Sequence, residues 1–155
     1  MLALNKVEEA GQTLKSTLAS LPIEEQSSAI ASVPRIFSRV NDKLLALNTV
    51  ESALAQALTQ PRTQASAWTT IGRMRRDVGQ HKAAAIAAQK GHAADNQANG
   101  PILLALSLLD KEAEWVQPLL LSYMAGPALP ELRLAYARAL ISLQNNAAAL
   151  AQLQK

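Results

Sequence analysis

Three arginines stand within four positions, Arg73, Arg75 and Arg76, with Arg62, Lys82 and Lys90 close by in sequence. A guanidinium offers a rigid planar fork to carboxylates and phosphates. The cluster therefore has two ligand readings: a groove that grips an acidic or carboxylate-bearing peptide, and a patch that contacts nucleic-acid phosphates. The second is the alternative with less behind it. No aromatic side chains interleave with these arginines to stack on bases, and a net charge of +3 is a small surplus for driving phosphate binding. A solvated helix face is the reading that needs no ligand.

Other reactive groups do not converge. His81 and His92 are the only histidines, and on one helix an eleven-residue separation puts them on a common face but ~16 Å apart along the axis, too far for one metal ion. Glu8 and Glu9, like Glu24 and Glu25, are sequence neighbours that point about 100° apart on a helix; they suit helix starts, where negative charge complements the dipole. With no cysteine, thiolate metal sites, disulfides and cysteine nucleophiles are excluded. Neither an HExxH pair nor a glycine-rich phosphate loop is present. The expectation is a non-enzymatic chain with no catalytic residue, metal or cofactor.

Composition agrees with a folded globular chain. At 155 residues, 49% hydrophobic and 17% charged, the chain fits one globular domain or one short repeat array. The start, Met1 to Glu9, lacks signal-peptide organisation, and the greasiest stretches, 102–109 and 118–129, fall short of the ~20 apolar residues of a membrane span. Cytosol and periplasm both remain open.

Helical periodicity must position whatever site exists, because alternating strand patterns are almost absent. Leu4, Val7, Leu14, Leu18 and Leu21 keep three- and four-residue spacing up to Pro22, and Phe37 to Leu58 keep it up to Pro61. Proline lacks an amide hydrogen and restricts its predecessor, so Pro22, Pro34 and Pro61 are expected to end helices. Further helices are expected over 65–78, 81–95, 101–109, 111–125, 131–143 and 145–154. Trp68, Trp115, Tyr123, Tyr136 and Phe37 read as packing residues on apolar stripes.

These pieces repeat. Residues 4–10 and 47–53 agree at five of seven places, with Asn5 and Asn48 each placed to cap a helix. Turn positions at 5, 48, 79, 110 and 144 give intervals of 43, 31, 31 and 34; the low thirties are the period of helix-turn-helix repeats, and the first interval is longer by about the length of the short helix expected over 23–33. Trp68-Thr69-Thr70-Ile71-Gly72, followed by Gly79 and Ala84, resembles the tetratricopeptide signature. Tyr136, Ala137, Gln144 and Ala149 repeat it 65 residues on.

The resemblance implies an all-α superhelix, a solenoid of about four and a half antiparallel helix pairs spanning 1–155 as one domain, of the kind found in bacterial scaffold proteins. It also implies that Gly72 and Ala84 allow close helix approach and that Gly79 is left-handed. The first helix of each pair would line a concave groove holding Arg35, Ser38, Asp42, Ser66, Thr69, Arg73, Arg76, Ser107 and Arg138, with Arg35, Arg73 and Arg138 at one register. The implied partner is a protein or acidic peptide. Asn5 would open a second helix with no first, and Lys155 follows no polar cap, so a piece of a longer chain is expected. Ala147, Leu150 and Leu153 at the uncapped end would seek cover by self-association.

Overall fold

The helix boundaries follow from prolines, caps and buried apolar positions. The computed structural model describes residues 4–154, apart from the side chains of Leu4, Asn5 and Asn146. Among these residues it holds α1 (Leu4–Ser20), α2 (Ile23–Phe37), α3 (Lys43–Ala57), α4 (Pro61–Asp77), α5 (His81–Ala94), α6 (Gly100–Ser107), α7 (Ala113–Ala125), α8 (Pro130–Ser142) and α9 (Asn146–Leu153), and no strand. The protein is all-α. Pro61 and Pro130 open α4 and α8, where a missing amide hydrogen costs nothing.

Two expectations are corrected. Pro34 does not end a helix: α2 runs through it to Phe37. Only the bond to the Ile30 carbonyl is forfeited, and Ile30, Val33 and Phe37 are all buried, each side chain contributing about 1.5–3 kcal/mol that holds the last turn helical. Asn48 does not open a helix either. It lies inside α3, whose start is capped by Asp42, with Oδ1 accepting the Leu45 N–H at 3.0 Å. The break in the long apolar run comes at residues 38–42, where Val40 is buried in the connection. The capping expectation for Asn5 concerns a side chain outside the described residues.

The later turns fall at the expected positions. Gly79 has φ +84° and Gln144 φ +61°, and both close the same motif. The Gly79 N–H donates to Arg76 O (3.0 Å) and the Gln80 N–H to Arg75 O (2.9 Å). At α8, the Gln144 N–H donates to Ile141 O (2.9 Å) and the Asn145 N–H to Leu140 O (2.8 Å). These paired bonds satisfy the last helical carbonyls and set the reversal into the next helix. The turn around Asp110 closes differently, the Glu112 N–H donating to Leu108 O at 2.8 Å.

Packing follows an alternating order. α2 packs on α4, α4 on α6 and α6 on α8, so the even-numbered helices form one continuous row. Among the others, α1 packs on α3 and α5 on α7, while α4 lies along α5 and α8 along α9. Small residues let α4 and α5 meet closely: a Cβ built on Gly72 would sit 3.2 Å from Ala87 Cβ and 3.4 Å from the Ala84 carbonyl oxygen. Two apolar clusters result. One joins α1 to α4 around Leu18, Ile30, Val50 and Ile71; the other joins α5 to α9 around Ile102, Leu108, Leu120, Tyr136 and Leu140.

Candidate partner-binding face

The even-numbered row carries most of the expected groove residues: Arg35 on α2, Ser66, Thr69, Arg73 and Arg76 on α4, Ser107 at the end of α6, and Arg138 on α8. Where α2, α4 and α6 meet, Ser66, Thr69 and Arg73 line a cleft of about 190 Å³ together with Ser27, Thr70 and Gly100. The small side chains come from helix positions that let the row pack closely. The Ser66 hydroxyl donates to Arg62 O (3.1 Å) and lies 3.4 Å from Ser27 Oγ, while the buried Thr69 hydroxyl donates to Ala65 O (2.8 Å). Thr69 therefore forms the floor, and Arg73 is the cleft's exposed cation.

The three clustered arginines diverge. Arg75 turns to α3, pairing with Glu51 and donating to Gln80 Oε1 at 2.8 Å. Arg76 reaches along the row, Nη1 donating to Ser107 Oγ at 3.0 Å and Nη2 to Asp77 Oδ1 at 3.1 Å. Ser107 in turn donates to Leu104 O at 2.6 Å, so Arg76 and Ser107 tie α4 to α6. Among the described residues Arg35, Arg73 and Arg138 are exposed and make no ion pair or side-chain hydrogen bond. Ser38 and Asp42 lie in the α2–α3 connection and are used locally, Ser38 donating to Arg35 O (2.7 Å) and Asp42 capping α3.

Ser27 and Thr70 were not singled out from the sequence. Their hydroxyls carry no spacing signature, and only the register of α2 against α4 brings them to the cleft.

Several concavities lie off this row, among them one between α1 and α3 and one beside His92. The largest, about 960 Å³ and open, runs between α1 and α3 past Glu8, Gln12, Lys15 and Asn48; Lys15 Nζ donates to Gln56 Oε1 across it at 2.6 Å. Size alone does not make it the binding face, since its one cation is already engaged. The other, about 320 Å³, is lined by His92, Asn96, Asn99, Ser122 and Tyr123. There the His92 and Tyr123 rings meet edge to face with centroids 6.4 Å apart. Burial lowers the His92 pKa from its ordinary value, partly opposed by the Asp95 carboxylate.

The tryptophans sit against lysines of α5. Lys90 Nζ stands 4.6 Å from the Trp68 ring and Lys82 Nζ 4.6 Å from the Trp115 ring, attractive contacts that also cover the rings. Among the described residues no group of three or more His, Asp or Glu side chains is placed to hold a metal ion, and no helix is long and apolar enough to cross a membrane. No protein-family model, curated protein or solved structure matches this chain.

Proposed function

We propose that this chain is a tetratricopeptide-like superhelix that binds an acidic segment of a partner protein along the row α2–α4–α6–α8 and catalyses nothing. The observation that carries the reading is the placement of Arg35, Arg73 and Arg138. All three stand exposed on helices of one row, and among the described residues none is neutralised by an acid. An extended acidic segment lying across the row would meet them in turn, each guanidinium offering two parallel donors to a carboxylate. The cleft beside Arg73, floored by small residues, lets a side chain of the segment approach the backbone of α4 and α6.

The nucleic-acid reading loses support from the same geometry. Arg75 and Arg76 are paired with Glu51 and Asp77, so the arginine triad presents no single basic patch to a phosphate backbone. Fluorescence anisotropy with a labelled Asp/Glu-rich dodecapeptide tests the proposal. Binding should be micromolar and weaken with salt; Arg73→Glu should reduce affinity at least tenfold, and adding Arg138→Glu should abolish it, with the circular dichroism spectrum unchanged. Unaltered affinity in the double variant, or a labelled oligonucleotide outcompeting the peptide, would defeat it.

A further inference from the structure

In the cleft where α2, α4 and α6 meet, α4 contributes a stripe of small side chains, Ala65, Ser66, Thr69 and Thr70, that ends at Arg73. The floor is therefore low, and a ligand atom can reach groups that lie deep in the row. One of those groups has no partner in the chain. Thr70 is 5% exposed, yet its hydroxyl forms no hydrogen bond with any described residue, whereas Ser66 and Thr69 donate to Arg62 O and Ala65 O. Among the described residues, the buried side-chain nitrogen and oxygen atoms sealed off without a partner are Nδ1 of His81 and Nδ1 of His92. The Thr70 oxygen is not sealed, so the little surface it keeps opens on the cleft it lines.

One wall of the cleft presents backbone donors. α6 starts at Gly100, where a Cβ would lie 2.8 Å from Thr69 Oγ1, so glycine lets the first turn of α6 come down on α4. Gly100 lines the cleft with backbone atoms alone. That turn is uncapped: the Asn99 side chain accepts no hydrogen bond from it, Pro101 has no amide hydrogen, and the N–H groups of Gly100 and Ile102 meet no acceptor among the described residues. Free N–H groups at a helix start carry the positive end of the helix dipole and favour an anion. Arg73 stands at the mouth, exposed, and no acidic side chain lines the cleft to oppose a negative ligand.

We infer that this cleft is an oxyanion site. A carboxylate or phosphate group in it accepts from the Thr70 hydroxyl and the Gly100 N–H inside and from the Arg73 guanidinium at the mouth, while Ser27, whose own proton is uncommitted, stands on the α2 side. Donors from three helices thus converge on a space of about 190 Å³, room for one such group on its stem. The site rests on the acidic-segment reading only for what carries the oxyanion, an Asp or Glu side chain or a phosphate ester of the bound segment. The segment is anchored here, and Arg35 and Arg138 meet its charges further along the row. A surface arginine alone attracts any anion through a screened field, whereas dependence on one buried hydroxyl reports a directed hydrogen bond.

Amide NMR of the whole labelled chain, titrated with inorganic phosphate near neutral pH at constant ionic strength, tests the inference. The Gly100 and Thr70 signals should move saturably, with millimolar affinity. Thr70→Val keeps the side-chain shape and removes the hydroxyl; it should weaken binding about tenfold, the loss expected for a hydrogen bond to a charged group, and Thr70→Ser should bind like the parent. Arg73→Gln, at an exposed position, should also weaken it about tenfold and decides the matter if Thr70→Val folds poorly, while Arg138→Gln on α8 should change nothing. Labelled acidic dodecapeptides with a central Glu or a central phosphoserine then identify the source, the tighter binder naming it, and phosphate should displace either. If phosphate binds and neither peptide does, the acidic-segment reading fails and the oxyanion site stands. A phosphate response that does not saturate, leaves Gly100 unmoved or persists within twofold in Thr70→Val would overturn the site, whatever the peptides do.

Discussion

Gly72 offers a direct measure of how closely the central helices are nested. In a solvated helix Gly→Ala stabilises by about 1 kcal/mol, through lower backbone entropy in the unfolded chain. Here the added Cβ would land 2.3 Å from Leu104 Cδ2 and 3.2 Å from Ala87 Cβ, against ordinary carbon contacts of about 3.5–4.0 Å. The Leu104 methyl has to retreat by more than about 1 Å, and Leu104 is buried on all sides. Overpacking of this kind costs about 1–3 kcal/mol, so Gly72→Ala should be net destabilising by about 1 kcal/mol.

A double-mutant cycle separates this account from a generic helix effect. Leu104→Ala alone should cost about 2–5 kcal/mol as a cavity opens. In that background the clash is gone, and the methyl at position 72 fills part of the void, so adding Gly72→Ala should be neutral or stabilising by about 1 kcal/mol. The coupling should therefore favour the double variant by about 1–2 kcal/mol. Urea unfolding of all four proteins at 25 °C, followed by circular dichroism at constant m, supplies the numbers. Additivity within about 0.5 kcal/mol, or a stabilising Gly72→Ala in the parent, would show that α4, α5 and α6 are not nested through this glycine.

Two further outcomes follow from the turns and from His92. Gln144 holds the left-handed conformation that glycine holds at position 79, so Gln144→Gly should stabilise by about 0.5–1 kcal/mol in urea unfolding; Gly79→Ala, whose Cβ meets nothing within 4 Å, should destabilise by about 1 kcal/mol through backbone strain alone. Because burial lowers the folded-state pKa of His92 below its ordinary value of 6.5, the unfolded chain binds more protons there; its contribution is fully present above that pH and is lost as pH falls through the folded-state pKa. Melting temperature should thus drop less between pH 7 and pH 5 in His92→Gln than in the parent, and parallel curves would contradict the assignment.

How much of this was legible in the sequence depended on whether a residue's role was local. The helical class and the turns at Gly79 and Gln144 depend on φ and on hydrogen bonds within six residues, which spacing reports directly, while the approach at Gly72, which depends on the absence of a Cβ, was implied by the tetratricopeptide resemblance. Pro34 was misread because its local penalty is outweighed by the burial of Ile30, Val33 and Phe37, contacts made by residues distant in sequence. The likeness between residues 4–10 and 47–53 was real but reported something else. Val7 and Val50 are both buried where α1 packs on α3, so the shared pattern marks equivalent packing faces, and at 47–53 it marks the inside of a helix and not its start.

The same division runs through the binding face. Which arginines are free could not be read from their clustering, because Arg75 and Arg76 are engaged by Glu51, Asp77 and Ser107, and two of these partners come from other helices. The tetratricopeptide resemblance implied one register for Arg35, Arg73 and Arg138; the structure sets their helices in the row α2–α4–α6–α8 and leaves all three exposed, and that exposure is a product of packing between helices that no spacing within one helix reports.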